Sequence, residues 1–102
     1  MGKLEKLTTA AADEVIAGLE HWQREDEKWM RGSYRFASFP AAIEFVRQAA
    51  DIAEELNHHP FIGIDYKKVT LRLTTWNSGG LTALDMQSAS RYNALYEQFR
   101  QD

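Results

Sequence analysis

The sequence predicts an α+β domain, a two-layer sandwich with a four-stranded antiparallel sheet and three helices on one face. Three observations carry this reading. Hydrophobic spacing switches between helical and extended in the order α-β-β-α-β-β-α, the extended runs come in short pairs that read as hairpins, and 102 residues suffice for a single modest core. Residues 1–102 are therefore read as one domain.

Thr8 is placed to cap a first helix over residues 9–21, where Ala12, Val15, Ile16 and Leu19 recur at steps of three and four. From Trp22 to Phe39 that spacing is lost. Trp29-Met30 and Tyr34 to Phe39 read as two extended segments turning at Arg31-Gly32-Ser33, the first of them charged enough to be an edge. Ser38 and Pro40 open the most regular helix, with Ala42, Phe45, Val46, Ala49, Ile52, Ala53 and Leu56 on one side. It stops at Asn57-His58-His59-Pro60, because the Pro60 ring disfavours helical geometry at the residue before it.

Ile62, Ile64 and Tyr66 then alternate, as do Val69, Leu71 and Leu73, and Lys67-Lys68 between them predicts a second hairpin. Thr70, Arg72, Thr74 and Trp76 face the other way, which puts Trp76 on the polar side at the strand's end. Asn77-Ser78-Gly79-Gly80 breaks the strand. Thr82 with Asp85 resembles a capping box ahead of a last helix carrying Ala89, Tyr92, Leu95, Tyr96 and Phe99.

Composition removes several function classes. With no cysteine there is no disulfide, thiolate metal site or cysteine nucleophile, and a cytoplasmic setting is expected. Twelve Lys and Arg are scattered among fifteen Asp and Glu for a net charge of -3, so no direct nucleic-acid contact is expected. The N-terminal residues hold no apolar stretch that could serve as a signal peptide and nowhere do eighteen apolar residues run together, which predicts a protein neither exported nor embedded in a membrane.

The adjacent His58 and His59 are the residues most able to do chemistry. One histidine at a helix end is ordinarily a cation favoured by the helix dipole. Two in a row on a bend point in different directions, which suits one that exchanges a proton while its neighbour binds or orients. Zinc would need a third converging ligand, and His21 stands alone after the first helix, so no metal is expected. Asp85, in a first helical turn, is explained by the cap alone, and Trp76 by covering the sheet end. Gly79-Gly80 is too short for a phosphate loop.

The spacing from residue 54 to 85 resembles the signature of the pterin-4a-carbinolamine dehydratase family. Its elements here are Glu54, then His58-His59-Pro60 after three residues, Tyr66 after five, Trp76 after nine and Asp85 after eight. The runs Phe36 to Phe39, 41–56 and Thr74 to Leu81 are similar to family segments as well, and the likeness is weakest before Trp29.

The resemblance implies dehydration of a 4a-hydroxy-tetrahydropterin, the product of aromatic amino-acid hydroxylases, to quinonoid dihydropterin and water, without metal or cofactor. It implies the four-stranded fold and a homodimer or homotetramer. Animal members also serve as dimerisation cofactors of a hepatocyte nuclear factor. By the same resemblance His58 and His59 are the catalytic pair, His58 in acid/base catalysis and His59 mainly binding substrate. Pro60 and Thr75, Trp76, Asn77 and Ser78 join them as pterin contacts, with Glu54, Tyr66 and Asp85 in support. Imidazole, with an unperturbed pKa of about 6.5, suits a reaction that needs both a proton donor and an acceptor.

The best-studied animal enzymes carry a third acid/base histidine where this chain has Trp76. Indole offers one N–H donor and an aromatic face but exchanges no proton near neutrality. The expectation is a site with one principal acid/base residue and lower turnover. Two alternatives stay open: a binding or oligomerisation module with a regulatory role, and a dehydratase-like protein acting on another pterin, as in molybdopterin metabolism.

Overall fold

The structure, a computed structural model, describes residues 4–100; the expectations that rest on residues 1–3 and 101–102, those on a leader and on the full extent of the domain, fall in part outside them. The elements run α1 (Thr9–Ala17), β1 (Trp22–Arg24), β2 (Met30–Arg35), α2 (Phe39–Leu56), β3 (Phe61–Asp65), β4 (Lys68–Leu73) and α3 (Ala83–Tyr96), with a 3-10 turn at Trp76–Ser78. The strands form one antiparallel sheet in the order β1-β2-β4-β3, so the predicted α+β order holds.

The first hairpin differs from expectation. Its reversal lies at residues 25–29, and Arg31-Gly32-Ser33 is the middle of β2. Asp26 makes the turn by accepting from the backbone N–H of Lys28 (2.8 Å) and Trp29 (2.9 Å), a side-chain device with no glycine to announce it. Gly32 is needed where it stands because Trp22 of the paired strand packs over it, and a Cβ there would overlap the indole. The segment expected at an edge is therefore central, and the edges are β1 and β3. Helix α1 also ends earlier than predicted. Gly18 closes it, and His21 adopts a left-handed φ of 73° that no helix continues.

The second hairpin turns at Tyr66-Lys67, since Asp65 pairs with Lys68; Tyr66 takes φ 54° to make it. Helix α2 begins on Ser38, whose Oγ accepts from Ala41 N (3.2 Å), with Pro40 in its first turn where no backbone donor is required.

Ala42, Phe45, Ala49 and Ala53 form the buried side of α2, and Phe45 packs among Tyr34, Phe36, Tyr96 and Phe99. Side chains from α1, β1, β2, α2, β4 and α3, with Leu81 ahead of α3, make one buried cluster on a single face of the sheet, including Trp22, Met30, Val69, Leu71, Leu73 and Ala89. Aromatic rings dominate its far end: Tyr34 lies 4.9 Å from Tyr96 and 5.0 Å from Phe45, and Phe36 5.0 Å from Phe45, between ring centroids. Truncating Phe45 there to Ala would cost about 3–5 kcal/mol. The other face carries Arg31, Ser33 and Arg35 of β2 against Arg72, Thr70 and Lys68 of β4. This packing fixes the start of α3 beside the end of β4 and the end of α2, where the functional residues meet.

Candidate active site

The histidine pair is placed by the way α2 ends. Asn57 adopts the left-handed conformation (φ 50°, ψ 44°), its N–H returns to Glu54 O, and His58 N returns to Ala53 O at 3.0 Å. That is a Schellman closure with asparagine in the place usually taken by glycine. The chain leaves the helix axis at this point, and the two imidazoles diverge.

His58 turns inward. Its Nε2 lies 2.6 Å from Asp85 Oδ1, with side-chain exposures of 11% and 0%, so solvent scarcely screens the pair. Asp85 Oδ2 accepts from Thr75 Oγ1 (2.7 Å) and from the backbone N–H of Thr82 (2.9 Å), the latter completing the predicted capping box of α3. Because an ionised carboxylate only accepts, Thr75 donates to Asp85, and the Thr82 hydroxyl then donates to Thr75 across 2.8 Å while accepting from Leu84 N. Asp85 is thus a cap whose second oxygen is free for His58. By the same logic His58 carries its proton on Nε2, leaving Nδ1 as the nitrogen able to take or give one.

His59 turns outward. Its Nε2 meets Glu54 Oε2 at 2.6 Å, but at 54% and 78% exposure this is a surface pair worth little to stability, and it orients the ring. A cleft of about 420 Å³ opens beside the two, lined by Asn57, His58, His59, Pro60, Phe61, Thr74, Thr75, Trp76 and Asn77. Backbone bonds between Thr75 and Gly80 close the loop that presents Trp76, and Gly79 makes its tight return at φ 75°.

The structure thus gathers His58, His59, Pro60, Thr75, Trp76 and Asn77 around one cleft, with Asp85 buried behind His58 and Glu54 behind His59. Tyr66 is not brought there: it sits 65% exposed on the β3–β4 turn, at the opposite end of β3 from His59, with Lys67 Nζ 5.1 Å above its ring. Ser78 faces away, donating to the carbonyl of Leu4. Sequence reasoning missed Asn57, Phe61 and Thr74 as lining residues. The left-handed cap at Asn57 had a readable signal, an Asn ahead of the helix-ending histidines; Phe61 and Thr74 had none. Among the described residues, no three His, Asp or Glu side chains are grouped as metal ligands, and no helix is long and apolar enough to cross a membrane.

A buried carboxylate holding an imidazole beside a cleft marks a small α+β protein with a candidate proton-transfer pair. Comparison with known proteins narrows the class. The family model for pterin 4 alpha carbinolamine dehydratase matches residues 5–95, and the chain belongs to that family. A relative from Roseiflexus sp. (strain RS-1), provisionally named a pterin-4-alpha-carbinolamine dehydratase, is 39% identical over 90 residues, covering 88% of this chain and 96% of its own. One from Rhizobium rhizogenes with the same provisional name is 43% identical over 88 residues, 85% and 87% of the two chains. The crystal structure of a transcriptional coactivator/pterin dehydratase from Brucella melitensis superposes with a TM-score of 0.85 at 33% identity, covering 90% of this chain and 99% of that one. A pterin dehydratase-like protein described as a RuBisCO assembly factor of the alpha-carboxysome shares the fold at TM-score 0.65 and 22% identity, over 76% and 90% of the chains.

Proposed function

We propose that the protein is a 4a-hydroxytetrahydrobiopterin dehydratase, releasing water from the pterin-4a-carbinolamine and returning quinonoid dihydropterin to the cofactor cycle of aromatic amino-acid hydroxylases. The observation that carries this is the buried 2.6 Å contact between His58 and Asp85 at the cleft. The reaction breaks the C4a–O bond, and the departing hydroxide needs a proton while the ring must lose one. His58 takes the ring's proton on Nδ1 and delivers it to the departing hydroxide, so that one imidazole ends each turnover as it began. Asp85 does not exchange protons in this scheme; it fixes the ring and stabilises the imidazolium. The pterin is the substrate, and no metal or further cofactor enters.

His59, Pro60, Thr75, Trp76 and Asn77 hold the flat ring, His59 being oriented by Glu54. The unpaired outer edge of β3, with Ile62 40% and Ile64 42% exposed, supports assembly into a homodimer or homotetramer. A cytoplasmic location accords with the absence of cysteine. The binding-module reading is favoured by one feature, the indole of Trp76, which can serve as neither acid nor base near neutrality. Following decay of enzymatically generated 4a-hydroxy-tetrahydropterin separates the two: a dehydratase accelerates it, and a binding module leaves it at the blank rate.

A further inference from the structure

Two exposed aromatic side chains stand at the rim of the cleft. Phe61 is 54% and Trp76 71% exposed, yet neither is loosely held. Trp29, half-buried behind them, stands 5.3 Å from the Phe61 ring and 5.4 Å from Trp76, edge-on to the latter at 84°. Arg72 lies over Trp29 at 4.4 Å and over Phe61 at 5.8 Å, and Glu25 fixes it through two hydrogen bonds of 3.1 and 2.7 Å. The 25–29 loop that carries Trp29 is tied to β4 again where Thr74 Oγ1 donates to Lys28 O. Exposing two rigid aromatic faces to water gains nothing for the fold, and a covering group of the ligand would gain from both.

We propose that Phe61 and Trp76, held by Trp29, form an aromatic subsite for the substituent on the pterin's pyrazine ring, which takes the carbon chain of the dihydroxypropyl group of the proposed substrate and binds flat or apolar groups more tightly than polyhydroxylated ones. This rests on the pterin reading of the cleft. In a pterin only one ring nitrogen separates C4a from the carbon that bears the substituent. A ring whose C4a lies at His58 therefore sends its substituent out beside the reacting edge, and the large apolar surfaces at the mouth there are Phe61 and Trp76. Trp29 does not line the cleft, so it is a positioning residue; Phe61 and Trp76 make the contact.

The test is calorimetric titration of the native protein with three unreactive, fully oxidised pterins: 6-methylpterin, 6-phenylpterin and 6-(trihydroxypropyl)pterin. An aromatic contact of ordinary strength makes the phenyl compound bind roughly three- to tenfold tighter than the trihydroxypropyl compound. Trp29→Ala should bring that ratio close to one, and Trp29→Phe should restore most of it, a recovery that general damage to the loop would not give. Phe61→Ala, on an exposed edge strand, provides the same readout if Trp29→Ala fails to fold. Equal affinity for the three compounds, or a preference unchanged in Phe61→Ala and in folded Trp29→Ala, overturns the subsite. Binding of none of the three overturns the pterin reading itself together with everything built on it.

Discussion

Replacing Asp85 by Asn alters the site's proton arrangement while keeping its shape. The carboxylate receives three donors: His58 Nε2 at 2.6 Å on one oxygen, and Thr75 Oγ1 at 2.7 Å and Thr82 N at 2.9 Å on the other. The backbone N–H of Thr82 cannot reverse its role, so the amide oxygen of Asn must take that side, and the amide NH₂ faces His58. Nε2 is then compelled to accept, the imidazole proton moves to Nδ1, and the imidazolium loses the counter-charge of a fully buried carboxylate. Turnover should fall on the order of 10²- to 10⁴-fold, the range for a general acid/base group in the wrong tautomer. Stability should fall by only about 1 kcal/mol, because the cap of α3 keeps its acceptor. Asp85→Ala, by contrast, strands three donors at about 1–3 kcal/mol each and should unfold readily. The assay is the dehydration rate of Asp85→Asn beside its circular dichroism melt. A folded variant turning over within a few-fold of wild type would refute the tautomer argument.

Other perturbations are read off the same structure. Tyr92 is fully buried with a hydroxyl that has no hydrogen-bond partner among the described residues, and burial pushes its ionisation up to about 12. Tyr92→Phe removes the stranded group and should raise stability by about 1 kcal/mol, a rise in Tm of about 4–8 °C; a melt showing marked loss would mean the hydroxyl has a partner after all. The hydrogen bond from Arg72 holds the Glu25 carboxyl below its ordinary value of 4.5, so its contribution to stability is complete above that pH and is lost as pH falls through the lowered value. Glu25→Gln should therefore flatten the acid limb of a stability-versus-pH curve, and identical curves for the two proteins would discount the clamp. Trp76→His should keep the fold, since the indole is 71% exposed, and raise the dehydration rate about tenfold or more by supplying a second acid/base group. A fall in rate with pterin affinity intact would show that the indole has its own part in turnover.

The order of elements was legible because the hydrophobic period changes cleanly along the chain, and the cap at Thr82 and Asp85 was legible because it spans three residues. What Asp85 does with its other oxygen was not. His58 lies 27 residues earlier, and only the packing of α3 against α2 brings the two together. The first hairpin misled because its turn is made by the Asp26 side chain, whereas Gly32, the conspicuous turn residue, is there to admit Trp22. Ile62 and Ile64 alternate like residues of a half-buried strand, yet β3 is exposed along its length; alternation reports a face, and coverage of that face depends on neighbours the local pattern does not contain. Tyr66 belongs to the motif by spacing, but its left-handed turn geometry at the far end of the hairpin gives it a structural task. Thr75, expected to touch substrate, also spends its hydroxyl on Asp85.

The most direct test of the central claim is the ultraviolet decay of 4a-hydroxy-tetrahydropterin, generated in place by a phenylalanine hydroxylase, with wild-type protein, with His58→Ala and with neither. Wild type should accelerate the decay, and His58→Ala should lose on the order of 10²- to 10⁴-fold of that acceleration. Decay at the blank rate with wild type would contradict the dehydratase account, and a folded His58→Ala that matched wild type would contradict the place given to His58 within it.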